Sequence, residues 1–346
     1  MKNSRKVFVV FLFLVLLSGC RSGSLSSPQS SPSPPPEATG SPTPTPTVTP
    51  TPTSTPTPTS TPAPTITPVF TPLLTLTPFT PPVRNLTQNT SYSTIQAAIN
   101  EARNGDEIVV SPGTYRENIS FQGKKITLRS TVPGDPSVVA STIIDGRSAG
   151  AVVTFSNGET REAVLAGFTI RNGSSSYGGG IYIFSASPNI TGNTVQNNSA
   201  GYGGGIAVYH HSSPTITGNV IKGNSAYDAG GGIWIYGNSS PTTIGNTIEQ
   251  NSARFGDGGG IFIYDNSSPT ITGNTFRNNA ARRYGGGIWV GSTAFVKDSH
   301  NTPWLRLNCP PSGSETNGVW VYRDNAFSAN THENGLESAG CHVYFD

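Results

Sequence analysis

The chain has 346 residues, with 21 Lys and Arg against 19 Asp and Glu, and its net charge of +2 argues against a nucleic-acid partner. Its most apolar run, Val7–Leu17, is too short to span a bilayer, and no other stretch is long enough. Three cysteines, Cys20, Cys309 and Cys341, leave no room for a dense disulfide framework.

Lys2, Arg5 and Lys6 precede the apolar run and small residues follow it, the pattern of a secretory signal over residues 1–20. Its end, Leu17-Ser18-Gly19-Cys20, resembles the bacterial lipoprotein lipobox. The resemblance implies cleavage before Cys20 and acylation of that cysteine. It therefore implies a lipid-anchored protein of the bacterial cell envelope, facing the exterior or the periplasm. Residues 21–83 hold 19 of the 29 prolines, largely alternating with threonine. This composition cannot build a core. It reads as a stalk, extending roughly 3.1 Å per residue where it is stiff. Residues 84–346 are then the cargo, one large domain expected to be monomeric. With Cys20 assigned to lipid, Cys309 and Cys341 read as a disulfide in an oxidising compartment.

The strongest signal in the cargo is self-similarity. Gly-Gly-Gly begins at Gly178, Gly203, Gly230, Gly258 and Gly285, at spacings of 25, 27, 28 and 27 residues. A second landmark keeps step: "SPNITGNTVQNN" from Ser187, "SPTITGNVIKGN" from Ser213, "SPTTIGNTIEQN" from Ser240 and "SPTITGNTFRNN" from Ser268. Each unit reads as a glycine corner, a short strand, a Ser-Pro turn, a second strand and an Asn-rich turn. That period is too short for a propeller blade, and it carries no helical pattern. It fits one turn of a right-handed parallel β-helix, an all-β solenoid with coils about 4.8 Å apart. The regular repeats cover about 167–291.

Alternation sets the faces. Ile181, Ile183, Ile206, Val208, Ile233, Ile235, Ile261, Ile263, Ile288 and Val290 share the inward parity. Ile190, Val195, Ile216, Ile221, Ile248, Ile271 and Phe276 are expected to fill the other walls. In the third unit Thr243 takes the inward place of an isoleucine, which predicts a bulge or a shifted side chain. Asn193, Asn219, Asn246 and Asn274 recur in register, as do Asn198, Asn224, Asn251 and Asn279, and are expected to form amide ladders. Before the repeats, "SYSTIQAAINEARNGD" predicts an N-terminal capping α-helix with Ser93 as N-cap, Gln96 completing a capping box and Gly105 as the stop. Residues 292–318 break the pattern, and "DNAFSAN" at 324–330 recovers it.

From about Ser93 onward the chain resembles the pectin-lyase-like right-handed β-helix superfamily. The carriers are "TIQAAINEARNGDEIVVSPGTYRENI", "IIDG" and the coil repeats. The pairing of Gly-Gly-Gly-Ile with Phe-x-x-Asn at Phe276–Asn279 and Phe327–Asn330 is also similar to the repeats of polymorphic outer-membrane proteins, which act in adhesion. The resemblance implies the fold. It leaves function open, because the superfamily holds lyases, hydrolases, epimerases and non-enzymes.

The polygalacturonase-like acid and base motifs are absent from the sequence, as is the Asp-Pro-His motif of alginate epimerases. Asp145 reads as a turn residue before Gly146. One row of charges precedes the glycine corners: Asp228, Arg254, Asp257, Arg282 and Arg283. Its functional reading is a polysaccharide lyase or glycoside hydrolase acting on acidic glycans, with Ca²⁺ as the only cofactor implied. Its bland reading is a charge-balanced, solvated turn row. The outward parity of the first strand carries Tyr182, Phe184, Tyr209, Trp234, Tyr236, Phe262, Tyr264 and Trp289, an aromatic double stripe. Such a stripe can stack on sugar faces, lie under a cover, or pack ring on ring. His210, His211 and Asp265 flank it, and a metal site from the two histidines is not expected, since neighbours on a strand point apart. The leading expectation is non-catalytic binding or adhesion to polysaccharide without a cofactor. The enzyme reading is the alternative, and a purely structural surface repeat is the third.

Overall fold

A computed structural model describes residues 82–291 and 294, and the short segments 314–316, 319–322, 325–328, 330–332 and 343–345. The expected signal, the expected Cys20 anchor and Cys309–Cys341 pair, and residues 21–81 of the expected stalk lie outside these residues, while Val83, the last residue expected of the stalk, is buried in a strand that pairs with Val110.

Four sheets, parallel from coil to coil and with antiparallel strands added at the ends of two of them, wrap one apolar interior. The first wall follows each glycine corner and holds Ile181–Phe184, Ile206–Tyr209, Ile233–Tyr236, Ile261–Ile263 and Ile288–Val290. The second follows the Ser-Pro turn, with Asn189–Thr191, Thr215–Thr217, Thr242–Ile244 and Thr270–Thr272. The third holds Thr194–Gln196, Val220–Lys222, Thr247–Glu249, Thr275–Arg277 and Asn325–Ser328. The fourth leads back to the glycines through Ser174–Tyr177, Ser199–Tyr202, Ser225–Ala229, Ser252–Ala253, Ala280–Ala281 and Thr331–His332. Each strand pairs with its counterpart one coil on. The repeat length in the sequence is therefore one turn of a β-helix.

The glycine corner has a steric cause. Gly230 has φ +68°, a left-handed conformation that a Cβ disfavours. At Gly231 a Cβ would stand 2.5 Å from the carbonyl oxygen of Gly259 and 2.6 Å from the backbone of Ser252, so two adjoining coils leave no space for it. Gly231 N–H donates to Gly258 O at 3.1 Å, and Gly232 N–H to Gly259 O at 3.0 Å, which links coil to coil through the corner itself.

All of the inward isoleucines and valines expected from alternation are buried in one cluster that runs the length of the stack. Asn325–Ser328 resumes the third wall, and Phe327 stacks on Phe276 with ring centroids 4.6 Å apart. The asparagines form two buried ladders. Asn224 is typical: its Nδ2 donates to Val195 O and to Asn251 Oδ1, both at 3.0 Å, while its Oδ1 accepts from the backbone and side chain of Asn198, both at 3.0 Å. Among the described residues the ladders run on to Asn325 and Asn330.

One local expectation is met in one of its two forms, and another needs correction. At Thr243 no bulge forms; the side chains shift instead. The register Ile216–Thr243–Ile271 is kept, Thr243 points inward, and its Oγ1 donates to Thr270 O at 3.2 Å, while Ile244 turns out to water. Satisfying the hydroxyl locally is cheaper than breaking the ladder. The register instead shifts between Ala200 and Tyr202, where Ser225–Ala229 carries an additional residue. Near the start of the domain, helix α1 covers Ile95–Glu101 and buries Ile95, Ala98 and Ile99. Its N-cap is Thr94, whose side chain accepts from Ala97 N–H, and not Ser93. Gln96 does not close a capping box; its amide bonds the backbone of Ser120 on the following coil. Glu117 supplies the missing acceptors, taking Ile95 N–H and Gln96 N–H at 2.9 Å each. The helix stops at Ala102, before the turn at Gly105.

Candidate functional site

The outer side of the first wall carries the aromatic rows. Strand parity puts Tyr182, Trp234, Phe262 and Trp289 in one column, with Ala207 between the first two. Phe184, Tyr209 and Tyr236 form the second column, and Tyr264 continues it just past its strand. The small Ala207 leaves space that the indole of Trp234 fills. Ala207, Ala229 and Trp234 make a second buried cluster on the outside of the β-helix, flanked by Tyr182, Tyr202, Tyr209, Tyr236 and Phe262.

The columns have outward parity, with exposure, a cover and ring-on-ring packing left open by the sequence, and the two tryptophans are covered: Trp234 is 5% exposed and Trp289 is 8% exposed. Two tyrosines from the fourth wall, Tyr177 and Tyr202, cover Trp234, at centroid distances of 5.6 and 5.2 Å. Tyr177 also stacks on Tyr202 at 5.6 Å and on Tyr209 at 6.0 Å. Phe262 lies parallel to Trp289 at 4.4 Å. The half-exposed members are Tyr182, Phe184, Tyr209, Tyr236, Phe262 and Tyr264. Along the second column the centroids are 5.5, 5.9 and 6.0 Å apart, a continuous ring surface over four coils. Neither Tyr177 nor Tyr202 was singled out from the sequence. Their signal is the tyrosine directly before Gly-Gly-Gly, which places a ring at the corner where it can fold back over the first wall.

The charge row does not act as one group. Asp228 accepts from the hydroxyl of Tyr202 at 2.8 Å. That bond, with burial behind it, pushes the Tyr202 phenol up to about 12. Asp257 is nearly buried, pairs with Arg283 at 3.1 Å and accepts from Tyr284 N–H at 3.0 Å. Arg282 lies over the ring of Phe255 at 5.4 Å, and Arg254 is exposed. The two carboxylates thus have separate partners, each tied to the backbone or ring next to it. Asp145 takes the turn role expected of it, accepting from Arg147 N–H. It also binds Arg171 at 3.0 Å and Asn172 at 2.9 Å. Burial raises its pKa, but these hydrogen bonds outweigh burial and hold it below the usual carboxylate value.

His210 and His211 do not point to opposite faces. Both have φ +57°, in the turn after the strand, and their rings meet edge to face at 4.8 Å. His210 Nδ1 lies 2.9 Å from Ser185 Oγ, and its ring stacks on Phe184 at 5.1 Å. Among the described residues no three His, Cys, Asp or Glu side chains are grouped to hold a metal ion.

Comparison with known proteins bears on the fold. The family model described as the right handed beta helix region matches residues 131–302. No curated protein sequence matches the chain. Among solved structures, the pectin methylesterase from Yersinia enterocolitica aligns over 73% of this chain and 94% of its own, at 14% identity and a TM-score of 0.36. At those values the enzyme's activity does not transfer. The coil repeats, the in-register walls and the family match agree, and the chain is a right-handed parallel β-helix repeat protein.

Proposed function

We propose that this protein is a lipid-anchored surface protein of the bacterial envelope that displays its β-helix for non-catalytic binding of polysaccharide. The lipobox-like Cys20, the Pro/Thr stalk and the expected Cys309–Cys341 bridge support display outside the cytoplasm. The observation that carries the binding role is the ring surface of Phe184, Tyr209, Tyr236 and Tyr264, half-exposed and continuous from coil to coil. A sugar chain lying along the axis would meet one ring per coil, and its apolar faces stack on aromatic rings. Trp234 packs beside Tyr209 and Tyr236, and Trp289 beside Tyr264, from the neighbouring column.

The test is glycan-array binding by the full-length chain beside a Tyr209→Ala/Tyr236→Ala/Tyr264→Ala variant. Those three side chains are half-exposed, so their loss leaves the interior core in place. Retention of a defined glycan by the wild type and its loss in the variant is expected. Equal retention by both proteins refutes the ring surface as the binding face.

A further inference from the structure

The second wall carries a surface that the other three lack. Its strands read Asn-Ile-Thr, Thr-Ile-Thr, Thr-Thr-Ile and Thr-Ile-Thr, and the middle residue of each points inward. Two outward columns result. Thr215, Thr242 and Thr270 follow Asn189 in one, and Thr217, Ile244 and Thr272 follow Thr191 in the other, with the register kept at every step. A buried proline stands just before each strand and a glycine just after it, so no long side chain rises at either border. From Ser187 to Gly192, and at the matching places of the next three coils, there is no charged residue. Thr191 and Thr217 accept from the ladder amides through their backbone carbonyls. Among the described residues no protein group bonds the hydroxyls of Thr191, Thr215, Thr217, Thr242 or Thr270. These five side chains are half-exposed, whereas the Thr272 hydroxyl is buried and marks the end of the open face. The other walls differ. The third sets Lys222, Glu249 and Arg277 in one column, the fourth carries Asp228 and Arg254, and the rings of the first are tilted by 43° to 60° from coil to coil.

We infer that this threonine face binds ice. Strand geometry spaces its side chains about 4.8 Å apart from coil to coil and about 6.7 Å apart along a strand. Both intervals are near the oxygen repeats on a prism face of hexagonal ice. The hydroxyls can therefore take lattice positions of the outermost water layer, donating and accepting as those waters do. The β-branched side chain is stiff at χ1, so the grid is ordered before contact and little entropy is lost on docking. The methyl groups between the hydroxyls leave liquid water on contact, a hydrophobic gain. Ice is uncharged, and an ionised group pressed against it would give up its hydration with no counter-charge in return. That requirement excludes the third and fourth walls, and the tilt of the rings excludes the first. Ile244, 40% exposed, is the one place in the open grid where a hydroxyl is replaced by carbon. The inference uses a different wall from the glycan-binding reading and stands or falls separately from it.

The experiment is incorporation of the fluorescently labelled full-length chain into pure ice grown slowly on a cold probe, with labelled serum albumin as the protein that an ice front rejects. The wild type is expected in the ice, and the albumin in the liquid. Thr217→Tyr places a bulky ring in the middle of the grid and should fall to the albumin level. Its side chain points outward, so urea unfolding should match the wild type. Ile244→Thr completes the second column. It should lower the protein concentration for half-maximal incorporation about threefold, the low end for one added hydrogen bond. A purely structural role for the threonines gives no such gain. Gln196→Tyr, the same kind of bulk on the outward side of the third wall, should change nothing. Three results overturn the proposal: a wild type rejected with the albumin, a folded Thr217→Tyr protein that enters the ice as the wild type does, or an Ile244→Thr protein that enters it no better.

Discussion

Replacing Asn224 with alanine tests whether the asparagine ladders hold the coils together. The side chain makes four hydrogen bonds. Their loss is not evenly felt. Asn251 Oδ1 keeps the Asn224 backbone N–H at 3.1 Å, and Asn198 Nδ2 keeps Ile170 O at 3.1 Å. Asn198 N–H loses its acceptor and is a buried donor, and Val195 O loses its side-chain donor. One orphaned group costs about 1–3 kcal/mol and one lost bond about 1 kcal/mol, so the variant should lose about 2–4 kcal/mol. Asn224→Asp should cost more at neutral pH, because a buried carboxylate would face the carbonyl of Val195 and the amide oxygen of Asn251. Urea unfolding followed by circular dichroism measures the loss. Amide exchange at Asn198 locates it, since that proton should lose protection first. A loss below about 1 kcal/mol, or unchanged protection at Asn198, would show that the strands alone carry the stacking and that the reasoning is wrong.

Trp234→Ala should destabilise by about 2–4 kcal/mol in the same assay, the cost of emptying a packed aromatic site with one open side. Tyr227→Ala, 61% exposed, should stay within about 0.5 kcal/mol. Gly231→Ala should prevent a native stack, seen as loss of cooperative unfolding, because the clashing atoms are backbone and cannot swing away. In an alkaline absorbance titration Tyr115 and Tyr202 should both ionise near 12, and Asp228→Asn should bring Tyr202 alone back toward 10, so that tyrosine's proton is the one the mutation moves. The sign follows: the folded protein holds that proton more tightly, so the bond stabilises below pH 10 and its contribution is lost as pH rises from 10 to about 12.

Much of this fold was legible because a solenoid writes its geometry once per coil. Ile206, Ile233 and Ile261 announce their wall by position alone, and Gly230 and Gly231 announce the corner. What stayed hidden was side-chain geometry across walls. Trp234 has the outward parity of a solvent-facing residue, yet Tyr177 and Tyr202 reach it from another sheet, and parity carries no information about reach. His210 and His211 were misplaced for a related reason: alternation holds inside a strand, and both residues have already left theirs. Asp228 and Asp257 share a row in the sequence, but one meets a phenol and the other a guanidinium, a division set by which ring and which arginine fold over the corner.

The two asparagine strings have a direction. In every rung the amide nitrogen donates toward the C-terminal coil and the amide oxygen accepts from the N-terminal one, from Asn193 and Asn198 through to Asn325 and Asn330. The side-chain dipoles therefore add head to tail, and each bond polarises the next. The solenoid acquires an electrical axis, negative toward its first coil and positive toward its last, as an α-helix does by a different route and with opposite sense along the chain. Inserting one more coil lengthens that axis without disturbing either terminus, so the length of the domain can change while its polarity is kept.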